Sequence, residues 1–188
     1  SLLELQKIEI QYKKIKILKH KSNFGQSFSI KTAINHSINP TIATIDGDCQ
    51  NNPNDLINLI KIFFDNDNLK LVGGIREKRK DNIIKVFSSK VANQVRQAIL
   101  KDNCQDTGCA LKVFDKSIFL KFPFFNGIHR FLPALFIGYG YETKFHSVSH
   151  TYRMHGLSKY GTFDRLFKGI IDIFRVLRII KNFKSKVK

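Results

Sequence analysis

Apolar positions along this chain follow two periods, and the changes between them predict an alternation of helices and strands. Leu2, Leu3, Leu5 and Ile8, interspersed with Glu, Gln and Lys, predict a helix, and Lys14-Ile15-Lys16-Ile17-Leu18 alternates like a half-buried strand. The turn Asn23-Phe24-Gly25-Gln26 leads into a helix predicted over 27–37, followed by the short apolar run Thr41-Ile42-Ala43-Thr44-Ile45. Pro53 suits a first helical position, and Leu56, Leu59, Ile60 and Phe63 follow at helical spacing, so a helix is expected over 53–65 and a strand over 70–74. Ile83, Phe87, Val91, Val95 and Ile99 predict a long amphipathic helix, and Ala110 to Phe114 reads as a core strand. The segment 122–140 is aromatic and apolar, broken by His129-Arg130 and Pro133; 142–153 looks extended, and 163–183 a final helix. Such alternation implies an α/β fold with a mostly parallel central sheet flanked by helices. It is organised as one domain over 1–160 and a basic amphipathic segment over 161–188, with no internal repeat or linker between domains.

Composition adds one strong constraint. At 188 residues, 43% hydrophobic and 25% charged, the chain is an ordinary globular length and mixture, but its formal charge of +17 implies an anionic partner: nucleic acid, an acidic membrane surface or a phosphorylated substrate. Lys, Ile, Asn and Phe share AT-rich codons, which accounts for part of the excess. Cys49, Cys104 and Cys109 form no even set and no Cys-x-x-Cys pair, so neither a disulfide framework nor a zinc site is supported and a reducing, cytosolic setting is expected. No signal peptide is visible, and no apolar run approaches the roughly eighteen residues that span a bilayer. The chain begins Ser1-Leu2-Leu3-Glu4, already reading as mid-helix, which suggests N-terminal truncation.

Four polar constellations carry candidate chemistry. In the first, the run from Thr41 ends abruptly in Asp46-Gly47-Asp48-Cys49-Gln50. A strand ending at the carboxyl edge of an open α/β sheet delivers its next residues to the place where such sheets bind ligands, and carboxylate and amide oxygens are the hard ligands that Mg2+ or Mn2+ takes. The same residues, with Asn51-Asn52-Pro53, are equally suited to a turn that caps the next helix. The second constellation is Arg76, Arg79 and Lys85 with Ser88 and Ser89, after the strand end Gly73-Gly74; a solvated charged face is its plainer reading. The third is Gln105-Asp106-Thr107-Gly108-Cys109, where a turn role competes with catalysis. The fourth runs from His150 to Tyr160, with Arg153, Ser158 and Lys159 spaced around Gly156 as a phosphate clamp would be. His146, His150 and His155 lack neighbouring carboxylates and sit among lysines, so they predict no metal site.

In this order the residues resemble the family-2 glycosyltransferases, in the branch that includes dolichyl-phosphate mannose synthases and bacterial polyprenyl-phosphate glycosyltransferases. The matching segments are Asn23 to Gln26, Asp46 to Pro53, Gly74-Ile75-Arg76, Ser89 with Asn93, Asp106 to Cys109, His129-Arg130-Phe131 with Pro133, and Arg153 to Gly161. The resemblance implies a GT-A fold, which is Rossmann-related, a nucleotide-sugar donor, Mg2+ or Mn2+, and inversion at the anomeric carbon. It implies that Asp46 lies near the nucleotide, that Asp48 and Gln50, with Asp46, hold the metal against the donor diphosphate, and that Arg76, Lys85, Ser89, Arg153, Ser158 and Lys159 address the acceptor phosphate. Asp106 matches the carboxylate assigned as the catalytic base in some relatives. Gly47 and Cys49 depart from the small and apolar residues common in the family, and the opening strands that hold the nucleotide base are missing.

The implied acceptor is a polyprenyl phosphate met at the cytosolic face of a membrane, where the protein would be peripheral. Because such a phosphate is already an anionic nucleophile, Asp106 is expected to orient more than to deprotonate. Phe163, Phe167, Ile170, Phe174 and Leu177 form an apolar stripe on the last helix, among Arg165, Lys168, Arg175, Arg178, Lys181 and Lys184. That helix suits an anionic headgroup layer, or alternatively packs on the domain as a surface helix. Two rival readings stand: transfer to a saccharide hydroxyl, with Asp106 as a true base, and a basic nucleic-acid-binding module. Dispersed basic residues and the absence of an RNA-binding or zinc-finger signature count against the second, so no nucleic-acid partner is expected.

Overall fold

The computed structural model describes residues 2–77, 93–151 and 162–187. The chain divides into two compact units, Ser1–Ile38 and Asn39–Lys188.

In the first unit, helix α1 (Leu2–Gln11) buries none of its residues, and α2 (Gln26–His36) buries Ser27 and Ile34. The strand expected at Lys14 to Leu18 does not form: residues 15–20 have no regular structure, and the Ile17 amide donates to Glu9 Oε1 at 2.7 Å. Alternation supplies a strand with an apolar face, but only a neighbouring strand supplies its hydrogen bonds, and here a side chain takes that place.

The second unit contains β1 (Thr41–Thr44), α3 (Pro53–Phe64), β2 (Leu69–Arg76), a helical segment α4 over 93–100, β3 (Lys112–Asp115), α5 (Lys116–Lys121), a 3-10 turn (Ile128–Arg130), α6 (Leu132–Gly138), β4 (Glu142–Val148) and α7 (Thr162–Val187). Local signals explain several boundaries. Asn52 Oδ1 accepts from the Asn54 amide at 3.0 Å, with Pro53 opening α3, and Asp115 Oδ1 accepts from the Ile118 amide at 3.0 Å to cap α5. The aromatic segment, which has no clear period, becomes the 3-10 turn and α6, with Phe122, Phe125, Phe131 and Phe136 all buried.

The four strands among the described residues lie in the order β1-β3-β2-β4. β2 and β4 pair in parallel, Leu71 opposite Thr143 and Gly74 opposite His146, whereas β3 runs antiparallel to both β1 and β2, with Lys112 opposite Thr44 and Gly73. The α/β class stands, but the described sheet is mixed rather than mostly parallel. The expectation treated every crossover as returning a strand in the same direction; the segment between Arg76 and Lys112 instead delivers β3 reversed, between two strands that share one direction. Leu59, Phe63, Leu69, Val72, Leu111, Val113 and Val148 make a buried core between α3 and the sheet.

The strand directions place the chemistry. β1, β2 and β4 point one way, so the residues just after each of them collect at one edge, and the reversed β3 brings the residues just before it to the same edge. Residues 46–50, Arg76, residues 106–109 and residues 149–151 therefore converge.

Helix α7 is amphipathic in two ways. Asp172, Ile173, Val176 and Ile180 are buried, and Phe183 stacks on Tyr139 with ring centroids 3.7 Å apart. Asp172 accepts from Arg130 Nη2 at 3.0 Å and Arg175 Nη1 at 2.8 Å, which ties the helix to the aromatic segment. Ile170, Ile171 and Phe174 remain exposed, so part of the stripe foreseen from sequence faces outward while a neighbouring stripe packs.

Candidate active site

Asp46 and Asp48 are half-buried on the turn after β1, and Gln50 lies beside them. Asp48 Oδ1 accepts from the Gln50 amide at 3.2 Å, closing the turn, and Cys49 adopts φ 60, a left-handed conformation uncommon for a residue with a side chain. Thr151 clasps this turn from the end of β4. Its amide donates to Gln50 O at 3.1 Å, its Oγ1 lies 3.2 Å from both Cys49 O and Gln50 O, and Gln50 Nε2 donates to Thr151 O at 3.2 Å. Nearby, Asp55 Oδ2 accepts from Ser149 N at 2.8 Å and Ser149 Oγ at 2.5 Å. The first and fourth constellations are thus joined at their adjoining ends.

Arg76 and Asp106 form a second, more enclosed assembly. Arg76 Nε donates to Asp106 Oδ2 at 2.6 Å and Nη2 to Oδ1 at 2.8 Å, a planar two-bond fork, with side-chain exposures of 13% and 6%. The Arg76 amide adds a bond to Oδ2 at 3.3 Å, and the Gly108 amide reaches Oδ1 at 3.2 Å. A Cβ on Gly108 would lie 2.9 Å from Arg76 Nη2, and one on Gly74 would lie 2.9 Å from Cys109 Sγ and 3.0 Å from Val148 Cγ2. Gly108 therefore permits the close approach that the fork requires, and Gly74 lets Cys109 and Val148 pack against β2.

Sequence reasoning missed Lys112. This lysine is buried in the centre of the sheet, donates from Nζ to Cys109 O, and feels the charges of Asp106 and Asp46. Burial lowers its pKa, with Cys109, Cys104 and the two carboxylates opposing that shift. The available signal was a lysine inside the apolar strand Leu111-Lys112-Val113-Phe114. His129, quoted for the resemblance but given no role, has its pKa pushed down to about 4 by burial and by the positive charges of Lys112 and Arg130. Burial also raises the Cys104 and Cys109 thiols, while Cys49 is exposed. Lys85, Ser89, Arg153, Ser158 and Lys159 lie outside the described residues.

Among the described residues, no group of three or more His, Cys, Asp or Glu side chains is placed to hold a metal by itself. The donor set at the turn nevertheless fits a particular kind of site. Two carboxylates and an amide offer only oxygen ligands and are too few to cage an ion, which suits Mg2+ or Mn2+ held by one or two carboxylates together with substrate phosphates.

A profile of the family described as Glycosyl transferase family 2 matches residues 2–122. The chain belongs to this family. It is 32% identical over 166 residues to a dodecaprenyl-phosphate galacturonate synthase of Rhizobium johnstonii, covering 87% of this chain and 48% of that protein. It is 29% identical over 139 residues to an undecaprenyl-phosphate 4-deoxy-4-formamido-L-arabinose transferase of Edwardsiella ictaluri, covering 74% and 42%. This family-2 chain therefore spans about half the length of the curated relatives it matches. Among solved structures, glucosyl-3-phosphoglycerate synthase of Mycobacterium tuberculosis, in complex with Mn2+, UDP-glucose and phosphoglyceric acid, aligns with a TM-score of 0.59 at 11% identity, over 88% of this chain and 58% of that one. That likeness establishes the GT-A-like α/β fold.

Proposed function

We propose that the protein transfers a sugar from a nucleotide-sugar donor to a polyprenyl phosphate, with inversion, at a membrane surface. The observation that carries this reading is the convergence of the Asp46–Gln50 turn, the Arg76–Asp106 fork and Thr151 at one sheet edge. Support for the acceptor class comes from the two curated relatives, whose names specify dodecaprenyl and undecaprenyl phosphate.

Asp48 and Gln50, with Asp46, would hold Mg2+ or Mn2+ against the donor diphosphate. When bound, the ion supplies Lewis-acid stabilisation of the charge that develops on the departing nucleoside diphosphate. Asp106 has both carboxylate oxygens engaged by Arg76, an arrangement that orients rather than one that collects a proton. An acceptor phosphate needs no base, whereas a saccharide hydroxyl would, so the fork favours the phosphate acceptor. Lys85, Ser89, Arg153, Ser158 and Lys159 form the proposed acceptor-phosphate group, beside the positive charge of Arg76, whose Nε and Nη2 are held by Asp106. The outward face of α7, with Ile170, Ile171 and Phe174 exposed beside Lys168 and Arg178, suits an anionic headgroup layer at about 1 kcal/mol per basic residue. Among the described residues no helix is long and apolar enough to cross a membrane.

Cys49 supplies a reporter inside the proposed metal turn, because it is exposed while Cys104 and Cys109 are buried. Alkylation by N-ethylmaleimide should occur first at Cys49 and slow when Mn2+ and a UDP-sugar are added together. Unchanged labelling with saturating UDP-glucose, UDP-galacturonate and Mn2+ counts against the donor site. In the full-length natural protein, Arg153→Ala or Lys159→Ala should chiefly weaken use of undecaprenyl phosphate. Flotation with anionic vesicles at low salt tests α7; absence of binding removes the membrane reading.

A further inference from the structure

A second buried ion pair lies behind the Arg76–Asp106 fork. Asp102 is 0% exposed and Arg96, on α4, 4%. Arg96 donates from Nη1 to Asp102 Oδ2 and from Nη2 to Cys104 O. Gln97 Nε2 donates to the same carbonyl at 2.8 Å, and the Cys104 amide donates to Asp102 Oδ1 at 3.2 Å. Toward the start of the described part of α4, Asn93 Oδ1 accepts from Thr107 Oγ1 at 3.3 Å. The helix is therefore stitched to the following loop on both sides of Asp106.

That loop is held in an unfavourable path. Lys101, which ends α4 with its amide donating to Gln97 O at 2.7 Å, and Asn103 flank Asp102 with φ 53 and 51, a left-handed region that costs Lys more than Asn. Such conformations persist only where surrounding contacts over-determine them. Among the described residues the buried Arg96 Nε has no hydrogen-bond partner, and burial lowers the Arg96 pKa. A pair of this kind is a poor stabilising device, because well-packed apolar residues of similar volume serve as well or better. Its contacts instead fix geometry: they determine where Cys104 lies, and Asp106 follows two residues later.

We propose that Arg96 and Asp102 are positioning residues for the transferase site, holding residues 101–109 in the strained path that presents Asp106 to Arg76. This proposal rests on the glycosyltransferase reading of the site, with Asp106 acting through its placement. Displacements of about 1 Å at a reacting centre can cost on the order of a hundredfold in rate, so a relaxed loop should be visible in turnover.

Three variants of the full-length natural protein test it: Asp102→Asn, Arg96→Lys, and the double substitution Arg96→Met with Asp102→Leu, which refills the site with apolar groups. The measurements are thermal unfolding, kcat and KM with UDP-glucose or UDP-galacturonate and undecaprenyl phosphate, and amide exchange at Gly108 and Cys109. The double variant should unfold within about 5 °C of the wild type, lose at least tenfold in kcat with donor KM within about threefold, and exchange faster at Gly108 and Cys109. Arg96→Lys, which keeps the charge but not the fork, should fall between it and the wild type. A folded double variant with wild-type kcat and exchange overturns the proposal. If the double variant does not fold, Asp102→Asn with unchanged kcat and unchanged exchange overturns it in the same way. A wild-type protein without turnover counts against the transferase reading, and the exchange comparison still decides whether the pair positions the Asp106 loop.

Discussion

The Asp46–Gln50 turn and the Arg76–Asp106 fork use the same chemistry at one sheet edge, yet they are built for opposite purposes. Asp46 and Asp48 are half-buried on a turn clasped through the backbone by Thr151, so both residues keep part of their surface in water. Asp106 is almost wholly buried and receives two guanidinium bonds and two amides. A carboxylate near solvent can exchange water for a cation and a diphosphate at little cost to the fold. One enclosed with its counter-charge is worth more as a fixed point, because removing either partner leaves an uncompensated buried charge. A catalytic edge needs both a part that accepts a ligand and a part that does not move when the ligand arrives.

This contrast can be broken most strongly at Asp48. Asp48→Ala in the full-length protein should reduce turnover with any acceptor by on the order of a thousandfold, about 4 kcal/mol of transition-state stabilisation, and metal chelation should do the same to the wild type. Chemical denaturation of the same variant should stay within about 1 kcal/mol of wild type, since the group is half-buried. Wild-type turnover from this variant in the presence of a chelator would remove the metal reading.

Asp106→Ala should be felt in stability as well, with a loss of about 3 to 5 kcal/mol measured by denaturation of the chain, because the buried Arg76 guanidinium loses its two-bond carboxylate partner. Gly74→Ala sharpens the point about space. The added methyl meets Cys109 Sγ at 2.9 Å and Val148 Cγ2 at 3.0 Å, both in packed surroundings, so a loss of about 1 to 3 kcal/mol is expected.

The enclosed side should also carry a pH dependence. His129 has its pKa lowered to about 4 in the folded chain from an ordinary 6.5, so the unfolded chain binds more protons between those values. The stabilising contribution of neutral His129 is complete above about pH 6.5 and is lost progressively as pH falls toward 4. His129→Gln should flatten the stability profile in that window; an unchanged slope would show that the ring titrates normally. The smallest effect belongs to the open turn: a Cβ on Gly47 meets nothing within 4 Å, so Gly47→Ala should change stability by no more than about 0.5 kcal/mol.

Several elements were legible because their causes are local. The cap at Asn52, Pro53 and the spacing of Leu56, Leu59 and Phe63 announce α3, and the apolar run before Asp46 announces β1. The candidate strand at Lys14 to Leu18 failed because its hydrogen bonds depended on a neighbour that alternation cannot supply. The direction of β3 was illegible for a related reason, since a strand's own sequence carries no record of which way its partners run. Lys112 escaped notice because a lysine in a core strand is explained only by the carbonyl and carboxylates brought around it.

By itself, then, the sequence determined the α/β class, the carboxylates of the Asp46 turn and the resemblance to family 2, because periodicity, turn chemistry and motif order are properties of neighbouring residues. Only the tertiary structure decided that Arg76 and Asp106 are partners, that Thr151 clasps Gln50, and that the stripe of α7 buried on the domain centres on Asp172, Ile173, Val176 and Ile180. Those facts depend on the reversal of one strand and on which side chains lose contact with water, and both are set by groups far apart in the chain.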